Sequence, residues 1–257
     1  MQMQDKTFLI TGAASGLGAA TAERLVAGGA QVVLCDLSDK VEALASRLGD
    51  TALACRGDVT SGDDMQVVVD KAVAAGGENS GLHGVVHCAG VVGVAKLLDR
   101  EGNPADLEAY ARTVQINLVG TFNVMRLAAA AMVRNSPQGG DGERGVIITT
   151  ASIAAFDGQV GQAAYSASKA GVVGMTLPLA RELSRHGIRV MTIAPGVFET
   201  PMMSELPEDA VAALSAAVPF PKRLGKPHEF AMLAEQIIAN PMLNGEVIRL
   251  DGGIRMQ

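Results

Sequence analysis

The chain has 257 residues, 48% hydrophobic and 19% charged, which is the make-up of a globular protein with a large core and not of a disordered or fibrous one. A formal net charge of -6, no Trp, 2 Tyr and 6 Phe leave neither the basic face nor the stacking platform that a nucleic-acid binder needs. The segment MQMQDKTFLITG lacks the pattern of a secretion signal, and no apolar run is long enough to span a bilayer. With its 3 Cys inside strand-like runs, the chain is expected to be cytoplasmic, with reduced thiols.

Strand-like runs alternate with helical patterns along the whole sequence. The strands are KTFLITG, AQVVLCDL, TALACRGDV, GVVHCAG, GVIITTAS, IRVMTIAPG and GEVIRLDGG. Runs this continuously apolar are expected of parallel strands covered on both sides, so the fold predicted is a single-domain α/β architecture over 1–257: a Rossmann-type, doubly wound, seven-stranded parallel sheet with helices on both faces. Residues 135–145 read as a surface loop.

The first strand runs into Thr11-Gly12-Ala13-Ala14-Ser15-Gly16-Leu17-Gly18, where a helical pattern begins at once. Glycines in such a turn let the backbone approach a pyrophosphate, and the helix meets its charge with free N–H groups and a positive dipole end. Asp36 closes the second strand, where a carboxylate accepts hydrogen bonds from a ribose diol and repels a 2′-phosphate; this selects NAD(H) over NADP(H). Asp58 and Val59, after the third strand, are placed to hold the adenine, although Asp58 ahead of Thr60 and Ser61 also reads as a helix cap. The fourth strand ends in His87-Cys88-Ala89-Gly90. His83 and His87 lie on one strand, roughly 13 Å apart at ordinary strand rise, too far for chelation. No catalytic metal is expected.

A long helix is predicted over residues 104–132, with Asn117 inside it. Asn is a poor helix-interior residue, so it has either a local backbone role or holds a water behind Lys169. A second helix is predicted over 163–186, in which Pro178 should form a kink or mark an irregular turn. Tyr165 and Lys169 stand i and i+4 on it, so phenol and ammonium share one face, and Ser152 lies upstream at the end of an apolar run. Such a pair suits proton transfer at a carbonyl or alcohol, because a nearby cation favours the phenolate. The sixth strand ends at Pro195, followed by Phe198 and Thr200, a short polar side chain suited to a nicotinamide amide. Residues 198–223, with Met202, Met203 and Phe220, read as a substrate lid.

TGAASGLG, Asp36, Asp58-Val59, Asn117, Ser152, YSASK and PG..ET together resemble the short-chain dehydrogenase/reductase family from end to end. VPFPKRLGKPHEF and LNGEVIRLDGGIRMQ look like the carboxyl-terminal region of its type 2 3-hydroxyacyl-CoA dehydrogenases. The resemblance implies NAD as cofactor, bound by Gly12, Ser15, Gly16, Leu17, Gly18, Asp36, Asp58, Val59, Cys88, Ala89, Gly90, Tyr165, Lys169, Pro195, Phe198 and Thr200. It implies Tyr165 as general acid/base, Ser152 on the same substrate oxygen, Lys169 on the nicotinamide ribose while depressing the Tyr pKa, and Asn117 holding a water on the proton path. Cys88 stands where the wider family usually has Asn and where this subgroup has Cys. The activity implied is oxidation of a 3-hydroxyacyl-CoA by a homotetramer whose long helices pair between subunits, with no nucleic acid or membrane partner. The alternatives are a hydroxysteroid or other secondary-alcohol dehydrogenase, a 3-oxoacyl-carrier-protein reductase, and a scaffold that keeps the fold without turnover.

Overall fold

The structure, a computed structural model, describes residues 1–76, 81–204 and 208–256. Seven strands form one sheet in the order β3-β2-β1-β4-β5-β6-β7, every pairing parallel. They are β1 (Thr7–Thr11), β2 (Gln31–Asp36), β3 (Ala52–Arg56), β4 (Gly84–His87), β5 (Gly145–Thr150), β6 (Ile188–Pro195) and β7 (Val247–Leu250). The central strands β1, β4, β5 and β6 are buried at every residue, which is why they read as unbroken apolar runs.

Successive side chains on a strand point to opposite faces, and here they feed two cores. Phe8, Ile10, Leu34, Val86 and Ile148 pack under α1 (Gly16–Ala27), α2 (Lys40–Leu48) and α9 (Pro227–Ala239). Leu9, Val33, Val85, Ile147 and Val190 pack under α3 (Gly62–Ala75), α5 (Gly120–Met132) and α6 (Ala163–Ser184). The doubly wound sheet expected from the sequence is the one observed. Its strand order reverses between β1 and β4, which leaves a crevice at their carboxyl ends.

Two helix predictions need correction. Residues 104–132 do not form one helix: Pro104 sits in an isolated bridge with Leu98, α4 (Leu107–Val114) starts from an Asp106 cap, and a π-turn over Gln115–Val119 separates it from α5. The extra residue in that turn surrounds Asn117, whose side chain is occupied outside the helix. Pro178 does not break α6, which continues through it. Pro178 and Gly174, whose carbonyl loses its donor, are both exposed, so water can replace the missing bond. Two short helices, α7 (Pro201–Ser204) and α8 (Glu208–Ala217), follow β6. No helix among the described residues is long and apolar enough to cross a membrane.

Candidate active site

A cavity of about 780 Å³ lies along the carboxyl ends of the strands. Gly12, Ser15, Gly16, Leu17, Gly18, Asp36, Asp58, Val59, Cys88, Ala89, Gly90, Ser152, Tyr165, Lys169, Pro195, Phe198 and Thr200 all line it. Of the cofactor-binding and catalytic residues expected from the sequence, Asn117 alone does not line it. Those 17 come from six strand ends and two helices.

One end is shaped by backbone. Gly12 and Gly16 take positive φ values of 64° and 54°, which L side chains rarely adopt. A Cβ on Gly12 would lie 2.7 Å from Ala89 N, and one on Gly18 only 2.2 Å from Gly12 O, so both turns need bare backbone. Ser15 caps α1 without a side-chain hydrogen bond, and no acid occupies the first turn of α1. By contrast α3 satisfies its own start, with Ser61 accepting from Asp64 N and two acids in the first turn. The open amide end of α1 therefore suits an anionic group. Asp36 Oδ2 accepts from Ala14 N at 2.9 Å and its Oδ1 from Ser38 N at 3.0 Å, which fixes the carboxylate beside the glycine turn. The glycine cradle, open amides and strand-end carboxylate fit a dinucleotide whose ribose carries a free diol.

Asp58 has a more local task than adenine binding alone. Its Oδ1 accepts from the backbone and hydroxyl of Thr60, both at 2.8 Å, while Ser61 caps the helix. Asp58 is thus not the cap that its position before Thr60 and Ser61 suggested.

The other half of the site gathers side chains. Ser152 begins a 3₁₀ turn over Ile153–Ala155; its Oγ accepts from Ala154 N at 3.1 Å and is hydrogen-bonded to the Tyr165 phenol. Lys169 is buried, its Nζ donating to Thr150 O at 2.8 Å and lying 5.8 Å from the centre of the Tyr165 ring. Burial pulls the Lys169 ammonium down to about 8. Burial pushes the Tyr165 phenol above its ordinary value, offset in part by the Ser152 bond. Among the protein's own groups the lowering partner is Ser152 and not Lys169, and loss of water around the phenolate outweighs it.

Asn117 is wholly buried and works as a two-point clamp. Its Oδ1 accepts from Val91 N and its Nδ2 donates to Val91 O, each at 2.8 Å, with a further bond to Ser168 Oγ. Its own carbonyl accepts from Thr121 Oγ1 at 2.6 Å. The backbone role is therefore real, and a Cβ on Gly90 would sit 3.1 Å from Asn117 Oδ1 and 3.4 Å from Lys169 Nζ, so the turn after β4 passes directly over both groups.

The histidines point away from metal chemistry. His83 Nδ1 accepts from Thr7 N, and His87 Nδ1 lies 2.7 Å from Thr11 Oγ1, so both rings are bonded to β1. Burial pushes them down, to about 4 and about 3. No group of three His, Cys, Asp or Glu able to hold a metal occurs among the described residues. Cys35, Cys55 and Cys88 are free thiols, and burial holds Cys88 up at about 12, far from a reactive thiolate.

Several lining residues escaped the sequence reading: Thr150, which receives Lys169, and Gln162, Val94, Val160, Leu214 and Met256. Gln162 precedes Tyr165 by three residues, a helical-face spacing that signals it. Met256 carries no local signal. Of the anticipated lid, Met203 lines the cavity, Phe220 is 82% exposed and does not line it, the Met202 side chain is outside the described set, and residues 205–207 lie outside the described residues.

The fold and the cavity define a dinucleotide-binding oxidoreductase of the Ser–Tyr–Lys type, and the chain belongs to the short chain dehydrogenase family, whose sequence profile matches residues 6–211. It is 55% identical to human 3-hydroxyacyl-CoA dehydrogenase type-2 over 251 residues, which are 97% of this chain and 95% of the human one. The crystal structure of 3-hydroxyacyl-CoA dehydrogenase type-2 from Mycobacterium avium is 44% identical and superposes with a TM-score of 0.93 over 98% of this chain and 96% of that one. That of 3-ketoacyl-(acyl-carrier-protein) reductase from Brucella melitensis, complexed with NADH, is 29% identical with a TM-score of 0.85, covering 98% of each chain.

Proposed function

We propose that this protein is an NAD-dependent dehydrogenase that oxidises 3-hydroxyacyl-CoA thioesters to 3-oxoacyl-CoA. The observation that carries the chemistry is the convergence of Ser152, Tyr165 and Lys169 on the cavity whose other end holds Asp36. The 55% identity to a 3-hydroxyacyl-CoA dehydrogenase over nearly the full length supports the substrate class. Asp36, held by Ala14 N and Ser38 N, supports NAD over NADP and speaks against the carrier-protein reductases that use NADPH.

Bound NAD would supply the hydride acceptor, its nicotinamide C4 facing the substrate carbinol carbon. Gly12, Ser15, Gly16, Leu17 and Gly18 would hold the pyrophosphate, Asp36 the adenosine ribose, and Asp58 and Val59 the adenine. Cys88, Ala89, Gly90, Pro195, Phe198 and Thr200 would frame the nicotinamide. Ser152 fixes the substrate oxygen, and its Ala154 bond sets the direction of the hydroxyl. Tyr165 takes the hydroxyl proton at its phenolic oxygen during oxidation and returns it during reduction. Lys169, anchored on Thr150 O, would offer its remaining N–H donors to the nicotinamide ribose and to a water held near Asn117 on the proton path. Such placement can supply roughly 7–11 kcal/mol of the barrier, and general acid–base catalysis adds about 10²–10⁴-fold.

Met203 and Leu214 on α7 and α8 support a role for this region as the substrate cover. Leu107, Tyr110, Phe122 and Leu177 are exposed apolar residues on α4, α5 and α6, and they support a homotetramer in which these helices pair across subunits. Three free thiols support a reducing compartment, the cytoplasm. The test is direct: purified protein with 3-hydroxybutyryl-CoA should form NADH from NAD and little NADPH from NADP. Binding of NAD with no turnover of any hydroxyacyl-CoA would overturn the assignment.

A further inference from the structure

The two ends of the substrate side of the cavity differ in how they are closed. Toward Val94 and Val160 the wall is made of strongly exposed side chains, and the space continues into a second, more open hollow beside Lys96 and Leu97. Toward Met256 the wall is braced. Beyond β7 the chain reverses at Gly252 and Gly253, both with positive φ, and buries Ile254 against Ile153 and Val218. Ile153 is the residue after Ser152, so the carboxyl-terminal turn packs directly on the segment that carries the proposed substrate-oxygen donor. Met256 packs on this cluster and lines the cavity.

Arg249 ties the turn down from three directions. Its Nη2 donates to Asp157 Oδ2 at 2.6 Å and to Ile254 O at 3.2 Å, its Nε donates to Asp251 Oδ2 at 2.8 Å, and its guanidinium lies 5.2 Å from the centre of the Phe156 ring. Arg255 adds a bond to Asp251, and Phe220 N donates to Gly252 O. Asp157 belongs to the loop leaving the Ser152 turn. The tail is thereby locked to the loop that follows Ser152, and Met203 and Leu214, which line the same cavity as Met256, are apolar.

From this geometry we infer that Met256 is the residue that sets acyl-chain length: the hydrocarbon tail of the substrate ends against it, while the charged coenzyme portion leaves by the open end past Val160. The inference rests on the acyl-CoA reading above and adds to it a direction and a ruler. The side chains of Met203, Leu214 and Met256 themselves offer a charged nucleotide moiety neither a cation nor a hydrogen-bond donor, whereas an alkyl chain gains contact with every methylene it places against them. A thioether side chain held at its backbone but free in its own torsions makes a wall that yields slightly and then stops.

The test is a ladder of 3-hydroxyacyl-CoA substrates from four to twelve carbons, run on the full-length wild type, Met256→Ala and Met256→Phe. Truncation should raise the ratio of kcat/KM for long over short chains by about tenfold or more, and the larger ring should lower it, while KM for NAD stays unchanged in both; one or two methylenes of pocket length are worth that much discrimination. Opposite shifts from the two variants are the signature of a ruler, since a merely structural lesion would move both in one direction. A wild type active on the ladder whose length ratio moves less than twofold in both variants would overturn this inference and leave the dehydrogenase reading standing. A wild type that turns over no member of the ladder would overturn that reading and this inference with it.

Discussion

The two ends of the cavity are built from different kinds of chain. The dinucleotide end is backbone: positive-φ glycines, an uncapped helix start and a carboxylate fixed by two amides, all at the ends of strands whose positions the sheet dictates. The other end is side chain, drawn from α7, α8, the loop after Ser152 and the carboxyl-terminal turn, which are far apart in sequence and meet only in the folded chain. The first end can hold one class of ligand and little else. The second can change its ligand with a few substitutions and leave the sheet untouched.

The largest break between the ends is expected from Tyr165→Phe. Removing the phenolic oxygen should lower kcat by about 10²–10⁴-fold, while NAD affinity, read by fluorescence of the bound reduced cofactor, stays near that of the wild type. Loss of both together would show that the two ends are not separable at this residue. Next comes Gly18→Val, aimed at the opposite end. A side chain there meets Gly12 O, so the glycine turn must open, and KM for NAD should rise by at least about tenfold; unchanged KM would mean that the turn does not carry the pyrophosphate.

Acid should weaken the scaffold shared by both ends. His83 and His87 are buried with folded-state values near 4 and 3, below the ordinary 6.5. As pH falls below 6.5 the unfolded chain takes up these protons first, so stability present above that value is lost progressively until the folded rings protonate. Between pH 7 and 5 the loss is about 2 kcal/mol for each ring, measurable as a falling midpoint in urea. The double variant His83→Phe, His87→Phe should flatten the profile over that window.

The smallest effect sharpens the chemistry alone. With the Tyr165 phenol raised and Lys169 near 8, the pair is protonated at neutral pH, which suits an acid and starves a base. Oxidation, which needs the scarce phenolate, should therefore rise several-fold between pH 7 and 9, whereas reduction, which uses the phenol, should change little over the same range; parallel profiles in the two directions would place the titrating group elsewhere.

The same contrast explains what could be read in the sequence. The central strands β1, β4, β5 and β6 were legible because burial on both faces writes itself as unbroken apolar runs, and the glycine turn and Asp36 because strand ends impose their spacing. Tyr165 and Lys169 were legible because a helix places i and i+4 together. The Asn117 clamp on Val91 and the π-turn that frames it were not, since an added residue within a helix leaves the apolar periodicity nearly intact. Pro178 misled because its cost depends on whether water reaches the orphaned carbonyl, a property of the folded surface. Met256 was out of reach because Ile153 and Val218, in the cluster it packs on, are remote in the chain.

The π-turn at Gln115–Val119 acts as a phase shifter between two helices. Upstream of it, α4 keeps one buried residue, Thr113, and turns Leu107 and Tyr110 outward; downstream, α5 turns Val124, Ala128 and Met132 into the core. A single-residue deletion here would restore ordinary helical winding, swing Asn117 by about 100° away from Val91, and rotate the outer apolar stripe relative to the inner one. The chain can lengthen its surface loops with little consequence, but the residue count of this one turn synchronises the outward-facing stripe of α4 with the site beneath it.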